Sequence, residues 1–398
     1  MVGHSHHQNV HWFLFPIRLF YDTPHWGNSP DLTETGMDLS RNTVEMRFFA
    51  MRIGLTTPWR VVILAVLWLP TSAFASVLSE AAARLQPGES IRIQTDLPGS
   101  LLAPDNANFL MWGSSGGWDP VRNQLKFVGK RDGPNPFRFL IYDEADDRWE
   151  LGPSPLPEDS FGHAYDHNAM DPVTGTAYFR RYNSDRIYSY DGNSWTRETD
   201  MPARGRIAAA ITWWNGKGLI FSDSRDIRIL EQGSWRDIAD SPHDFVYHNV
   251  SEYSAEADIM IFGGGNGGRN MYKLTRNEQI SAIATPPFNL GSSSSQAVLS
   301  ADPASKLFVG YEKKTRNWTV YDPDTNQWSD LPQSSGDGSS PQQGAPNLST
   351  GHNAVIGVPI PAYGVIMYVQ YLGSSNAGVW LFKANQVVQP ESPVLHPE

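Results

Sequence analysis

The segment "GHAYDHNAMDP" (162–172) places His163 and His167 four residues apart, with Asn168 directly after the second. The His-Asn pair recurs in "YHNVSEY" as His248 and Asn249, and in "GHNAVIG" as His352 and Asn353. Of eleven histidines, six follow residue 75, and three of those six belong to such a pair. Imidazole exchanges protons near neutral pH and, when neutral, ligates metals. His167, His248 and His352 are therefore open to acid–base catalysis or to a zinc-type site. No HExxH or other close ligand pairing supports the metal, so the expectation is no cofactor, with a divalent metal on these three histidines as the alternative. Two arginines in "YFRRY", Arg180 and Arg181, add fixed positive charge suited to an anionic ligand. "HNVSEYSAEADIMIFGGGNGGRNMYKL" adds Tyr253 and, sixteen residues on, Arg269.

Groups this far apart act together only if a repeating frame brings them together, and the chain has a period. "DRWELGPSPLP", "NSWTRETDMP", "GSWRDIADSP" and "NQWSDLP" each set a tryptophan a few residues before a proline. Trp149, Trp195, Trp235 and Trp328 are spaced by 46, 40 and 93 residues, and Pro157, Pro202, Pro242, Pro286 and Pro332 by 45, 40, 44 and 46. Periods of this length indicate a propeller or solenoid. Within one unit, "RIAAAITWW", "LIFSD", "IRILEQ" and "SWRDIA" read as four short strands joined by turns, the content of a propeller blade. The first hairpin recurs as "DPVRNQLKF", "DPVTGTAYF" and "DPASKLFV". The expected fold is all-β, a six-bladed propeller (a seventh blade being the alternative). "SIRIQTDLP" (90–98) would add the outer strand of the C-terminal blade, removing exposed edges. "QSSGDGSSPQQGAPN" (333–347) reads as a flexible loop entering blade six.

The Trp-to-proline endings, the hairpin "AAAITWWNGKGLIF" and "IMIFGGGNGG" (259–268) resemble kelch repeats, the propeller type of the galactose oxidase central domain. The resemblance implies fold rather than activity. It excludes one activity, because the copper-radical site of those enzymes requires a cysteine cross-linked to tyrosine and this chain has none.

Aligned by first strand, the blades give one column of His167, Arg206, His248, Ser295 and His352, and a second of Asn168, Ile207, Asn249, Gln296 and Asn353. First strands are innermost, so their starts converge around the mouth of the central channel. Side chains alternate along a strand, so only one column can face the axis. The asparagines suit backbone hydrogen bonds between blades; the histidines suit the channel mouth. His167, Arg180, Arg181, Arg206, His352 and Asn249 are thus candidate substrate-binding residues.

Blades two and four together resemble the propeller-type polysaccharide lyases that act on ulvan. The resemblance implies a catalytic histidine at His163 in "GHAYD", with Tyr253 and Arg269 at the family's sixteen-residue spacing and His248 nearby. At the position of the family's second histidine, this chain has Tyr182-Asn183-Ser184. The implied chemistry is β-elimination: a cation on the uronate carboxylate (Arg269), a base for the C5 proton (His163 or Tyr253) and an acid for the leaving oxygen.

Composition bounds the rest. The net charge is −11, from 31 basic and 42 acidic residues, which does not suit a nucleic-acid binder. Fourteen tryptophans and 15 tyrosines suit carbohydrate contact as well as a β core. "MRIGLTTPWRVVILAVLWLPTSAFASV" reads as a signal peptide (51–75), too short in its apolar run to anchor in a membrane. Residues 1–50 read as an over-extended gene start, and 76–398 as one propeller domain. The expected protein is exported, to the periplasm or beyond, and acts on an anionic polysaccharide. The rival expectations are a non-catalytic propeller that binds glycan or protein, and a sugar epimerase or isomerase.

Overall fold

A computed structural model describes residues 75–104, 108–130, 136–154, 163–201, 210–222, 226–242, 248–265, 268–290, 297–312, 315, 317–331, 355–373 and 376–384. The signal peptide and gene-start expectations lie outside them, as does the 333–347 loop.

The described strands form six four-stranded antiparallel sheets. Helix α1 (Val77–Arg84) and strand β1 (Ser90–Ile93) come first. Blade one is β2 (Gly117–Asp119), β3 (Gln124–Gly129), β4 (Arg138–Asp143) and β5 (Arg148–Gly152). Blade two is β6 (Asn168–Asp171), β7 (Thr176–Arg180), β8 (Ile187–Tyr190) and β9 (Trp195–Arg197). Blade three is β10 (Ala210–Trp214), β11 (Gly218–Ser222), β12 (Asp226–Glu231) and β13 (Ser234–Asp240). Blade four is β14 (Asn249–Ser254), β15 (Ile259–Gly264), β16 (Met271–Thr275) and β17 (Ile280–Ala282). Blade five is β18 (Ala297–Ala301), β19 (Phe308–Glu312), β20 (Asn317–Asp322) and β21 (Gln327–Leu331). Blade six is β22 (Val355–Ile360), β23 (Val365–Gly373) and β24 (Asn376–Phe382), completed by β1, whose Ser90 pairs with Phe382 and Ile93 with Val379. The N-terminal strand thus closes the ring in the expected place, and the structure has six blades.

The repeated residues have mechanical jobs. On its outer strand, each of three tryptophans donates its indole N–H to a backbone carbonyl of the preceding blade. Trp195 reaches Pro153 O at 2.8 Å, Trp235 reaches Thr199 O at 2.9 Å and Trp328 reaches Ala284 O at 2.7 Å. Blade four lacks the tryptophan, and Tyr272 takes over, donating to Pro242 O at 3.3 Å. Each such staple contributes about 1 kcal/mol. The repeated "DP" closes the inner hairpin: Asp119 Oδ1 accepts from the Val121 and Arg122 amides, Asp171 Oδ1 from Val173 and Asp302 Oδ1 from Ala304. Between blades lie apolar layers, as where the fully buried Trp318 stacks on Phe382 with ring centroids 3.8 Å apart.

Chain direction gives the propeller two distinct ends. One, the strand-start end, gathers the residues preceding each inner strand and the loops between second and third strands. The other, the hairpin end, gathers the tight turns between first and second strands and between third and fourth.

Candidate functional site

At the strand-start end, side chains from three blades form a layered cluster of rings. Trp112 precedes β2, His163 and Tyr165 precede β6, Tyr182 lies in the β7–β8 loop, and His248 immediately precedes β14. Trp112 touches both outer histidines, with centroids 5.4 Å from His163 and 5.1 Å from His248. Tyr165 touches the same two, at 4.8 and 4.7 Å. Tyr182 closes the cluster against His163 (5.5 Å) and Tyr165 (5.6 Å). Trp112, His163 and His248 are half-buried and form the rim, whereas Tyr165 and Tyr182 are buried and form the floor.

Beneath the floor lies a buried pair. His167 and Arg180 are both fully buried, and Arg180 Nη1 stands 2.9 Å from His167 Nε2. A guanidinium only donates, so Nε2 accepts and the imidazole proton sits on Nδ1. Burial, then the charges of Arg180 and His163, hold the His167 pKa well below its ordinary value, so the ring is neutral at pH 7. Arg180 also donates to Ser184 O at 3.4 Å and lies over the Phe221 ring at 5.4 Å. The backbone adds a second link, Arg180 N to His167 O at 2.9 Å, which holds the Tyr182 loop against the Tyr165 segment.

Backbone conformation marks the same place. Among the described residues, ten non-glycine residues have left-handed φ. Six of them, Asn123, Asp147, Gln232, Asp258, Glu278 and Asn326, sit in hairpin turns, where such a conformation is the ordinary solution. The other four are Trp112 (φ 68°), Tyr165 (φ 27°), Asn183 (φ 47°) and His248 (φ 63°), and all lie in or beside the ring cluster. Bulky residues held left-handed cost on the order of 1–3 kcal/mol each, and such strain concentrates at functional sites.

Not every expected site residue gathers here. His163 and His248 stand together at the rim. His167 and Arg180 lie directly beneath, too buried to touch a substrate. Arg181, half-buried, begins the loop that carries Tyr182. Arg206 and His352 lie outside the described residues. Tyr253 is elsewhere, near the far end of β14, about 16 Å along the strand from His248. Its hydroxyl donates to Asp258 Oδ1 at 3.0 Å, and burial with that carboxylate pushes its pKa up to about 12. Asp258 also accepts from Trp214 Nε1 and Arg276, so Tyr253 belongs to a turn lock at the hairpin end. Arg269 is exposed beyond Gly264, on the strand-start side, and donates to Pro286 O at 3.4 Å. The sixteen-residue spacing therefore does not bring Tyr253 and Arg269 to one site, because it spans a hairpin that sends them to opposite ends.

The asparagine column divides. Asn168 clamps blade one, accepting from Val128 N at 2.7 Å and donating to Val128 O at 3.0 Å. Asn249 is fully buried, its amide making no hydrogen bond to a described residue, and it offers no surface to a substrate. For the metal alternative, His167 Nε2 is engaged by Arg180. Among the described residues no group of three His, Cys, Asp or Glu is arranged to hold a metal. Sequence reasoning missed Trp112, Tyr165 and Tyr182. Tyr165 lies between two singled-out histidines and Tyr182 stands where the resembled family has a second histidine; Trp112, ahead of the first blade, had no signal.

No family model and no curated protein matches the chain. Among solved structures it is similar to a streptogramin B lyase, at 12% identity and TM-score 0.42, over 73% of this chain and 96% of that one. It is also similar to a catalytically inactive variant of virginiamycin B lyase from Staphylococcus aureus with quinupristin, at 13% identity and TM-score 0.43, over 70% and 81%. A fungal alcohol oxidase of the AA5 family, in complex with copper, matches at 12% identity and TM-score 0.41, over 69% and 75%. These likenesses concern the fold, which the six sheets establish independently.

Proposed function

We propose that the protein is an exported carbohydrate-active enzyme, a lyase that cleaves a uronate-containing polysaccharide by β-elimination at the ring cluster. The observation that carries this reading is the placement of two half-buried imidazoles, His163 and His248, against the same two aromatic rings, Trp112 and Tyr165. Two imidazoles so placed suit a reaction that takes one proton and gives another. In β-elimination a neutral imidazole removes the C5 proton. The electron pair forms the C4–C5 double bond, and the C4–O bond breaks as a protonated imidazole supplies a proton to the leaving oxygen. Trp112 offers a ring face for the sugar. Arg181 takes the uronate carboxylate, while the Arg180 charge beneath favours an anion without touching it.

The test is incubation with a panel of uronate polysaccharides, following the ultraviolet absorbance of 4,5-unsaturated ends. Absorbance should rise with wild type and stay flat with His163→Ala and with His248→Ala. Glycan binding without product from wild type would replace the enzyme with a binding propeller.

A further inference from the structure

Three left-handed residues carry the ring cluster, and they sit on three segments of different blades: Trp112 ahead of blade one, Tyr165 ahead of blade two, His248 ahead of blade four. Trp112 and Tyr165 each sit in a single short turn, closed by Gly113 N to Leu110 O at 3.0 Å and by His167 N to Ala164 O at 3.1 Å, and none of these turns ties one blade's segment to another's. One side chain meets all three. Asp166, between Tyr165 and His167, is 1% exposed. Its Oδ1 accepts from the Ser115 hydroxyl, three residues after Trp112. Its Oδ2 accepts from the Ser251 amide at 2.6 Å, three residues after His248. Its own carbonyl accepts from Ile211 N of blade three at 3.1 Å.

We infer that Asp166 is a positioning residue, a carboxylate cross-link that holds the Trp112, Tyr165 and His248 segments in register so that the two rim imidazoles meet the same rings. This inference rests on the proposed function only for its catalytic consequence; the geometric claim stands apart from it.

The surroundings fit a built device rather than a chance contact. Ser115 and Ser251 are buried with Asp166. Ser251 is further fixed from blade three, its carbonyl accepting from Thr212 Oγ1 at 2.8 Å. Ser115 is fixed from blade six by a bridge to Gly357, flanked by Gly357 N to Ser114 O at 3.0 Å and Gly116 N to Gly357 O at 3.2 Å. Glu252, next to Ser251, is buried near Asp166 and accepts from the Ala301 amide of blade five. The inner strands of blades three to six and the segments just ahead of the inner strands of blades one and two are thereby linked, with the Asp166 carboxylate as the member that crosses between blades one, two and four. Burial raises the Asp166 carboxyl to about 7, against the two donors that favour its ionised form. Glu252, raised well above the carboxylic range by burial and by Asp166, is the neutral partner of the pair.

A hydrophobic or amide substitute would keep the packing and lose the cross-link. Asp166→Asn retains the shape but presents an N–H donor to one of the two donors it must accept. Ser115→Ala removes one arm only. The test uses the full chain, reading by NMR the imidazole C–H signals of His163 and His248 and the indole N–H of Trp112, with the indole of Trp318 in blade five as a distant control. Asp166→Asn should move the three rim signals and leave Trp318 in place; Ser115→Ala should move Trp112 most. Against a polysaccharide that wild type cleaves, Asp166→Asn should lower kcat by about 10²-fold with KM nearly unchanged, as expected for displaced reacting groups.

Rim signals that stay at their wild-type positions in both variants would overturn the inference, whatever the activity. Displacement of Trp318 as far as the rim would overturn it too, since that would be general loosening. Should Asp166→Asn fail to fold, Ser115→Ala decides by the same signals. If wild type cleaves no polysaccharide, the proposed reaction falls and the NMR comparison still decides the cross-link.

Discussion

The two ends of this propeller are built from the same strands yet use left-handed backbone differently. At the hairpin end, the non-glycine left-handed residues among those described are Asn, Asp, Gln or Glu in tight turns, and nearby polar groups lock those turns. Tyr142 donates to Asp147 at 2.9 Å, Tyr253 to Asp258 at 3.0 Å and Tyr321 to Asn326 at 2.9 Å, one device in three blades. At the strand-start end the left-handed residues include Trp, Tyr and His, their rings meet one another, and no blade repeats the arrangement among the described residues. Repetition marks what every blade must do to stand beside its neighbour. Strain without repetition marks what the molecule holds in place for another purpose.

The largest expected effect separates the ends by activity. His163→Ala or His248→Ala should each lower product formation by about 10²–10⁴-fold, the range for loss of a general acid or base. Tyr253→Phe, at the hairpin end, should leave turnover at the wild-type level and cost about 1 kcal/mol of stability for the lost bond to Asp258. Loss of turnover in Tyr253→Phe, measured beside its melting temperature, would erase the distinction.

Strain relief gives the next test. His248→Gly should abolish turnover while offsetting the lost ring contacts by about 1 kcal/mol through its left-handed φ of 63°. Asn123→Gly, in a hairpin turn at φ 53°, should change stability by only a few tenths of a kcal/mol, because asparagine already tolerates that conformation. Chemical denaturation of a His248→Ala and His248→Gly pair isolates the backbone term. If glycine is no more stable than alanine there, the rim is not strained.

The buried pair beneath the rim predicts a pH dependence. The folded-state pKa of His167 lies well below the ordinary 6.5, so the unfolded chain takes up the proton first. Its contribution to stability is complete above about pH 6.5 and declines as pH falls below that value. His167→Gln, whose side-chain carbonyl can still accept from Arg180, should show a flatter melting temperature between pH 7 and pH 5 than wild type. An equally steep decline in the variant would remove His167 as the cause.

The smallest effect tests the staples. Trp195→Phe keeps a ring but loses the bond to Pro153 O, and should cost about 1 kcal/mol without touching turnover.

These tests follow the line between what the sequence shows and what it hides. The blade period was legible because a tryptophan staple or a "DP" turn is the same local solution repeated, so it leaves the same residues at the same spacing. The closing strand was legible from its blade-like ending. The site was legible only in part. His163 and His248 could be selected, but the shared column of His167 and His248 did not reveal that one ring lies buried against Arg180 while the other, on a left-handed residue, reaches the rim. Trp112, Tyr165 and Asp166 act through loop conformations that neighbouring blades impose, and no spacing rule encodes those. The Tyr253–Arg269 spacing misled for the converse reason: a separation along the chain cannot say on which side of a hairpin each residue falls.

The measurement that bears most directly on the central claim is a comparison of wild type, His163→Ala and Tyr253→Phe on the same panel of uronate polysaccharides, followed by the ultraviolet absorbance of unsaturated ends. The account predicts product from wild type and from Tyr253→Phe, and none from His163→Ala. Product from His163→Ala together with an inactive, folded Tyr253→Phe would place the chemistry at the hairpin end and contradict it.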